Sequence, residues 1–318
     1  MFLNTLKNIS FKKKISVNQY FMNKIKFCFV IFCSLLLNTK LYAQLNPLSS
    51  QYFQNTYLAN PAMAGMQKGL RLNLAYRNQW SSMPGSPRNT AVTSDYQNRR
   101  VGLGLSMLKD QAGVLNRTQV LGTYAYHLPL NSSESALHFG LSLGFNSQRL
   151  NSMDVVAAPN DPSIANFDNN TLIDGAFGMA YTKGKFGLEV AFNNLKNQFN
   201  VELHNSTDYT TFFTAASYAI TLQNNWALNT KFAYRGVKGY TNLFDVGAEL
   251  KTRDQQLGFL ALYHSNKSSS FGLSYEHKTG WRLASMYTTS ATNLQSYANG
   301  AVEFSIQINL TKPNNETN

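Results

Sequence analysis

The sequence predicts an all-β fold: a transmembrane antiparallel β-barrel of about 14 strands, with short turns at one end and longer loops at the other. Three observations carry that expectation. Apolar residues recur at every second position over segments of about 9–11 residues, the length that crosses a bilayer at a tilt of about 45°. The residues between them are mostly Gly, Ser, Asn and Thr with scattered charges, not the Lys/Glu face of a sheet that meets water. The connections between segments alternate in length. Composition agrees, since 14% charged and 13% aromatic residues suit strands better than helices.

The chain opens on an export signal. Residues 1–43 hold seven Lys and no Asp or Glu, and Lys24 and Lys26 precede the apolar run 27–37. Leu41-Tyr42-Ala43 then places a small residue at the expected cleavage point before Gln44. The run falls short of the roughly 20 residues a membrane-spanning helix needs, which argues against a retained signal anchor. Met22 begins a conventional signal peptide by itself and is the expected start. Both cysteines, Cys28 and Cys33, lie in this segment without the small preceding residue that lipid attachment requires. The mature chain is therefore expected to lack disulfides and thiol sites. The formal charge of +12 is also local: removing those seven from the 28 basic residues leaves 21 against 16 acidic, about +5. Nucleic acid is not an expected partner. The expected organisation is a signal peptide over 1–43, a periplasmic or plug segment over 44–68, the barrel over 69–310 and a polar tail over 311–318.

The strand segments follow in order: 69–79, 89–97, 101–109, 117–128, 136–149, 171–182, 185–194, 209–221, 226–236, 242–251, 256–264, 269–277, 280–288 and 299–310. In the first, Leu70, Leu72, Leu74 and Tyr76 should face lipid, while Arg71, Asn73 and Arg77 face the lumen. In the fifth, Leu141 points out and Ser142 in, so Leu141→Arg should be costly and Ser142→Arg better tolerated. The glycines of "VGLGLS" (101–106) alternate within a strand and thin the inner wall, leaving room for a plug or a neighbouring side chain. Short connections at 97–100, 182–185, 223–225 and 278–280 fall at the periplasmic end if the chain starts there. The long ones at 80–89, 150–170, 194–208 and 289–298 fall at the outer end. "PLNSSES" (129–135) reads as a longish inner turn and "HSNKS" (264–268) as a short outer loop. Trp80, Tyr209, Tyr263 and Tyr287 gather near outer strand ends, and Tyr126, Trp226 and Trp281 near inner ones, as interfacial belts require.

Signals for chemistry are poor. The five histidines have no zinc spacing, and His138, on a lumen position, reads as a hydrogen-bonded wall residue. No nucleophile elbow or phosphate loop occurs. "DQAGVLN" (110–116) and "PNDPSIANFDNN" (159–170) offer oxygens but match no calcium-loop spacing, and read as polar surface loops. No enzyme activity, cofactor or metal is expected.

"SSQYFQNTYLANPAMAG", "LNLAYRNQW" and "GSPRNTAVTSDYQNRRVGLGLSMLKDQAGVLNRTQVLGTYAYHLPL" together resemble the PorP/SprF family of outer-membrane proteins. The matching features are a Tyr-x-x-Asn-Pro-Ala-x-x-Gly box (Asn60, Pro61, Gly65), a Tyr-Arg-Asn-Gln-Trp strand end (Tyr76, Arg77, Asn78, Trp80) and a Gly-x-Pro loop. Gly-Leu-Gly-Leu (Gly102, Gly104) follows, then Asp110 and Gly113. "AFGMAYTKGKFGLEVAFNNL" (176–195) resembles the family's mid-barrel hairpin, though "FNNL" (192–195) stands where a Pro-Asn-Leu strand end is expected. The resemblance implies association with type IX secretion and gliding motility. It further implies that the barrel helps secrete or anchor a large cell-surface adhesin through that protein's C-terminal domain, with periplasmic secretion and gliding components as further partners.

The candidate partner-binding residues lie at the outer end: Arg77, Asn78, Trp80, Met83 and Pro84, with Met153, Val155, Val156, Ile164 and Phe167 in the 150–170 loop. Arg77 has two readings, a lumen ion pair or a direct partner contact. The 57–65 box should lie on the periplasmic side or in the barrel mouth. The rival to docking is a channel for small solutes, and the lumen discriminates: open for a channel, filled for docking.

Overall fold

The computed structural model describes residues 50–130, 134–150, 171–195, 210–222, 224, 226–237, 242–290 and 299–310. Period-two alternation becomes fourteen strands: β1 (Gly69–Gln79), β2 (Arg88–Asn98), β3 (Val101–Ala112), β4 (Leu115–Leu130), β5 (Ser135–Leu150), β6 (Thr171–Lys183), β7 (Phe186–Phe192), β8 (Thr210–Thr221), β9 (Ala227–Val237), β10 (Leu243–Lys251), β11 (Leu257–His264), β12 (Ser269–Glu276), β13 (Trp281–Thr288) and β14 (Ala301–Asn309). Each pairs antiparallel with the next, and β1 closes on β14 through Arg71↔Asn309 to Gln79↔Ala301. Closure leaves no sheet edge for lipid to meet, which is the condition for a sheet to stand in a bilayer.

The alternation sorts the side chains as the pattern requires. Leu74, Tyr76, Leu141, Leu143, Phe145, Ile173 and Phe304 are exposed on the outer wall, whereas Asn73, Arg77, Ser142, Asn146, Asp174 and Glu303 are buried on the inner one. Such an apolar outer face is stable only in lipid. The connections at the end where β1 starts span 99–100, 131–134, 184–185, 222–226, 252–256 and 277–280, and form the turn end. Those at the other end include 151–170, 193–209 and 289–300, and form the loop end. Tyr263 and Tyr287 sit near the loop end; Tyr126 and Trp281 sit near the turn end, Trp281 stacked on His277 with centroids 5.0 Å apart. Tyr209 lies outside the described residues.

Three local expectations are corrected. "PLNSSES" is strand at both its ends, because Pro129 and Leu130 stay in the ladder opposite Ala136 and Ser135. "DQAGVLN" is a strand–turn–strand in place of a loop: the ladder runs to Ala112↔Leu115, and the two-residue turn is made possible by Gly113 at φ +56°. At "FNNL" the missing proline is replaced by a different device. Asn194 takes φ +51°, a conformation that asparagine tolerates better than most residues, and the Leu195 amide donates to the Gly175 carbonyl at 3.0 Å.

Candidate functional site

The barrel lumen is filled by its own N-terminal segment. Residues 50–65 form one α-helical turn, α1 (Gln51–Gln54), and two 3-10 turns, Thr56–Leu58 and Pro61–Met63. The last follows from the Asn-Pro pair. Asn60 is extended, its side-chain oxygen accepts from the Ala62 amide at 3.0 Å, and Pro61 stands at the first helical position, where a missing N–H costs nothing.

The segment crosses the lumen from the loop end toward the turn end, and strands on several sides of the barrel receive it. Near the loop end, the Tyr52 hydroxyl donates to Asp245 on β10 (2.8 Å) and its ring meets Phe213 on β8 edge-on at 5.7 Å. Phe53 packs on Leu260, Leu262 and Met286 of β11 and β13. At mid-height, Gln54 accepts from Ser305 of β14 (3.3 Å), Asn55 donates to Thr93 of β2 (2.9 Å) and Tyr57 donates to Thr123 of β4 (2.7 Å). Asn60 donates to the Met179 carbonyl of β6 (3.1 Å), and Asn193 donates to the Ala59 carbonyl (3.0 Å). At the turn end the Gly65 amide donates to Asp95 of β2 (2.9 Å).

The inner-wall glycines make this fit possible. A Cβ on Gly102 would lie 2.1 Å from the Ala64 carbonyl oxygen, one on Gly104 would lie 2.4 Å from the Tyr57 hydroxyl, and one on Gly178 would lie 2.0 Å from Asn60 Oδ1. Charged lumen residues are paired beside the plug. Arg71 meets Asp95 (2.9 Å), Arg77 meets Glu303 (3.3 Å), Lys231 meets Glu189 (3.2 Å) and Arg282 meets Glu249. Buried charges are tolerable only when paired in this way.

Asp245 is the centre of the largest cluster. It binds Arg235 at 2.5 Å and Tyr52 through one oxygen, and receives His264 Nδ1 at 2.6 Å on the other. His264 Nε2 stands 2.8 Å from Ser270 Oγ, which in turn stands 2.6 Å from Thr288 Oγ1. The Asp–His–Ser order resembles that of a hydrolase triad. Here Ser270 is fully buried between His264 and Thr288, and Asp245 is committed to Arg235 and Tyr52. The chain of bonds ties the plug to β10–β13.

The candidate residues separate into two groups. Asn60, Pro61, Gly65, Gly102 and Gly104 come together at the plug. Asp110 receives Asn89 at 2.7 Å near the mouth, next to Gly113. Arg77 is buried against Glu303, the geometry of a lumen ion pair and not of a surface contact. Tyr76 faces outward beside it. Asn78 accepts from the Ser86 hydroxyl at 3.4 Å, and Trp80, at φ +56°, donates its amide to the Gly300 carbonyl at 3.0 Å. Met83 and Pro84 stand exposed on the loop that follows. Met153, Val155, Val156, Ile164 and Phe167 lie outside the described residues. Sequence reasoning missed Tyr52, Asp95, His127, Arg235, Asp245 and His264. For all but Tyr52, which lies in the helical turn of the plug, the available signal was a charged or imidazole side chain at an inward position of a period-two strand.

The model of the family described as Type IX secretion system membrane protein PorP/SprF matches residues 41–308. The chain belongs to the PorP/SprF family. It is thus an outer-membrane β-barrel associated with type IX secretion, and the Asn-Pro box and the Gly-Leu-Gly-Leu strand of this PorP/SprF barrel are the two sides of one plug–wall contact. A comparison with curated protein sequences finds no match. Among solved structures, the CymD monoaromatic hydrocarbon channel superposes with TM-score 0.51 at 12% identity, over 85% of this chain and 95% of that one. The Ralstonia pickettii toluene transporter TbuX gives 0.48 at 11%, over 85% and 94%. A Pseudomonas aeruginosa FadL homologue gives 0.45 at 10%, over 85% and 96%. The CymD likeness is one of fold alone.

Proposed function

We propose that this PorP/SprF barrel is a non-enzymatic docking protein. It holds a large secreted cell-surface protein, through that protein's C-terminal domain, at the loop end of the barrel, and it meets periplasmic secretion components at the turn end. The observation that carries this reading is the filled lumen. The 50–65 segment bonds to strands on several sides of the barrel, and a lumen so occupied among the described residues favours docking over a small-solute channel. A cavity of about 90 Å³ lies between Gln51 and Leu58 of the plug and Asn89, Gln119 and Asn146 of the wall. That volume holds a single side chain or a few waters.

Binding energy in this reading comes from the outer loops: Trp80, Met83 and Pro84, and the apolar residues Met153, Val155, Val156, Ile164 and Phe167. A long loop that carries so many apolar side chains needs something to pack on. Deleting residues 155–167 tests it. The barrel should insert and resist heat as before while surface display of the partner falls. Normal display by an inserted deletion mutant rejects this loop as the docking site. Export by cleavage before Gln44 belongs to the same proposal, and an intact mass that still includes residues 1–43 overturns it.

A further inference from the structure

We infer that the turn-end half of the plug is held by an acid-sensitive latch, the buried pair His127 and His138, whose double protonation frees the segment around Ala64. His127 on β4 and His138 on β5 stand opposite each other in the ladder, with their Nδ1 atoms 2.9 Å apart. Of two ring nitrogens in contact, one must carry hydrogen and the other must not. The outer nitrogens decide which. His127 Nε2 lies 3.1 Å from the Ala64 carbonyl oxygen, which can only accept, so Nε2 carries the hydrogen and the neutral ring's Nδ1 accepts. His138 therefore donates through Nδ1, and its Nε2, 2.9 Å from Thr182 Oγ1, accepts from that hydroxyl. One unbroken chain runs from Thr182 through His138 and His127 to the plug carbonyl.

That chain exists only with both rings neutral or one charged. A first proton can enter at His138 Nε2, because the Thr182 hydroxyl can turn and accept. A second proton must go to His127 Nδ1, and it would set two N–H groups and two positive charges against each other. No carboxylate touches either ring among the described residues. At this end of the plug Asp95 takes the Gly65 amide and is already paired with Arg71. The backbone at Gly102 of β3 lies beside His127, the Arg100 carbonyl accepts the His127 amide at 2.8 Å, and the Thr182 hydroxyl of β6 meets His138. The doubly charged pair must part, and His127 leaves Ala64. The loop-end half is held differently: there Tyr52 bonds the Asp245 carboxylate, which His264 and Arg235 also meet, and no histidine pair is involved.

The chain's two cysteines both lie in residues 1–43, so with Cys28→Ser and Cys33→Ser a Met63→Cys thiol is the sole reporter in the full chain. Labelling by a water-soluble maleimide is measured relative to a Met83→Cys control at each pH, which cancels the reagent's own pH dependence. From about pH 7.5 to about pH 3.5, low enough for the second proton to enter against the first, the relative rate should rise about tenfold, the factor one ordinary hydrogen bond is worth. His138→Gln removes one of the two charges, and its amide can donate to or accept from His127, so this variant should stay slow at both pH values. His127→Phe removes the latch and should be fast at both. A pH-independent rate in the parent protein overturns the inference, and so does an unchanged acid response in His138→Gln.

Discussion

Asp245 shows how much one lumen residue holds. Its carboxylate neutralises Arg235, anchors Tyr52 of the plug and orients His264. Asp245→Ala leaves a fully buried guanidinium without its counter-charge, a change that costs about 3–5 kcal/mol. The expected result is a lower temperature for loss of the compact, heat-modifiable form on gels. Tyr52→Phe removes only the hydroxyl's bond to that charged group and should cost about 1.5–3 kcal/mol by the same measurement. Gly102→Ala places a methyl 2.1 Å from the Ala64 carbonyl, where backbone meets backbone. It should expel the turn end of the plug while the barrel still forms, visible as protease cleavage near residue 64 in an otherwise resistant chain. The pair Leu141 and Ser142 teaches a correction. Leu141 is 57% exposed to lipid and Ser142 is 4% exposed, so the directions are as the alternation requires. Leu141→Arg should cost about 2–4 kcal/mol near the midplane. Ser142→Arg, expected from the pattern to be mild, should instead be severe. Ser142 Oγ sits 2.7 Å from Thr123 Oγ1, which itself receives Tyr57, so an arginine here breaks the buried hydroxyl chain that holds the plug.

At the scale of elements, the plug is the part that gives the barrel its character. Its side chains bond to strands from both halves of the sheet, β2, β4 and β6 on one side and β10 and β14 on the other. Removal of residues 50–65 should therefore leave an inserted barrel of lower thermal stability that conducts ions in a planar bilayer, while the intact chain conducts little at neutral pH. Equal conductance of the two would mean that the plug does not seal the lumen. β4 and β5 are the longest strands, 16 residues each, and carry the wall above the plug at the loop end. The short strands β11 to β13, 8 residues each, lie across from them. Strand length was readable in the sequence only to within a few residues, because Pro129 and the 110–116 segment carry the usual marks of turns. Pro129 nonetheless remains in the ladder, and in 110–116 the ladder breaks only at Gly113 and Val114.

For the whole molecule, the sequence by itself determined the architecture. Period-two alternation with an apolar outer face, a small polar inner face and connections of alternating length leaves few folds other than a membrane barrel, and each strand states its own direction. The same reading marked Gly102 and Gly104 as places where the wall is thin, and the motif set from Asn60 to Gly113 placed the chain in its family. What the tertiary structure alone decided is which groups meet inside. Tyr52 and Asp245 are 193 residues apart, and the Asp245–His264–Ser270 cluster and the His127–His138 latch arise from register and closure. The physical reason is that alternation records only whether a side chain points into lipid or into the lumen. Its partner in the lumen is set by strand register, by closure of β1 on β14 and by the path of the plug, and none of these is local in the chain.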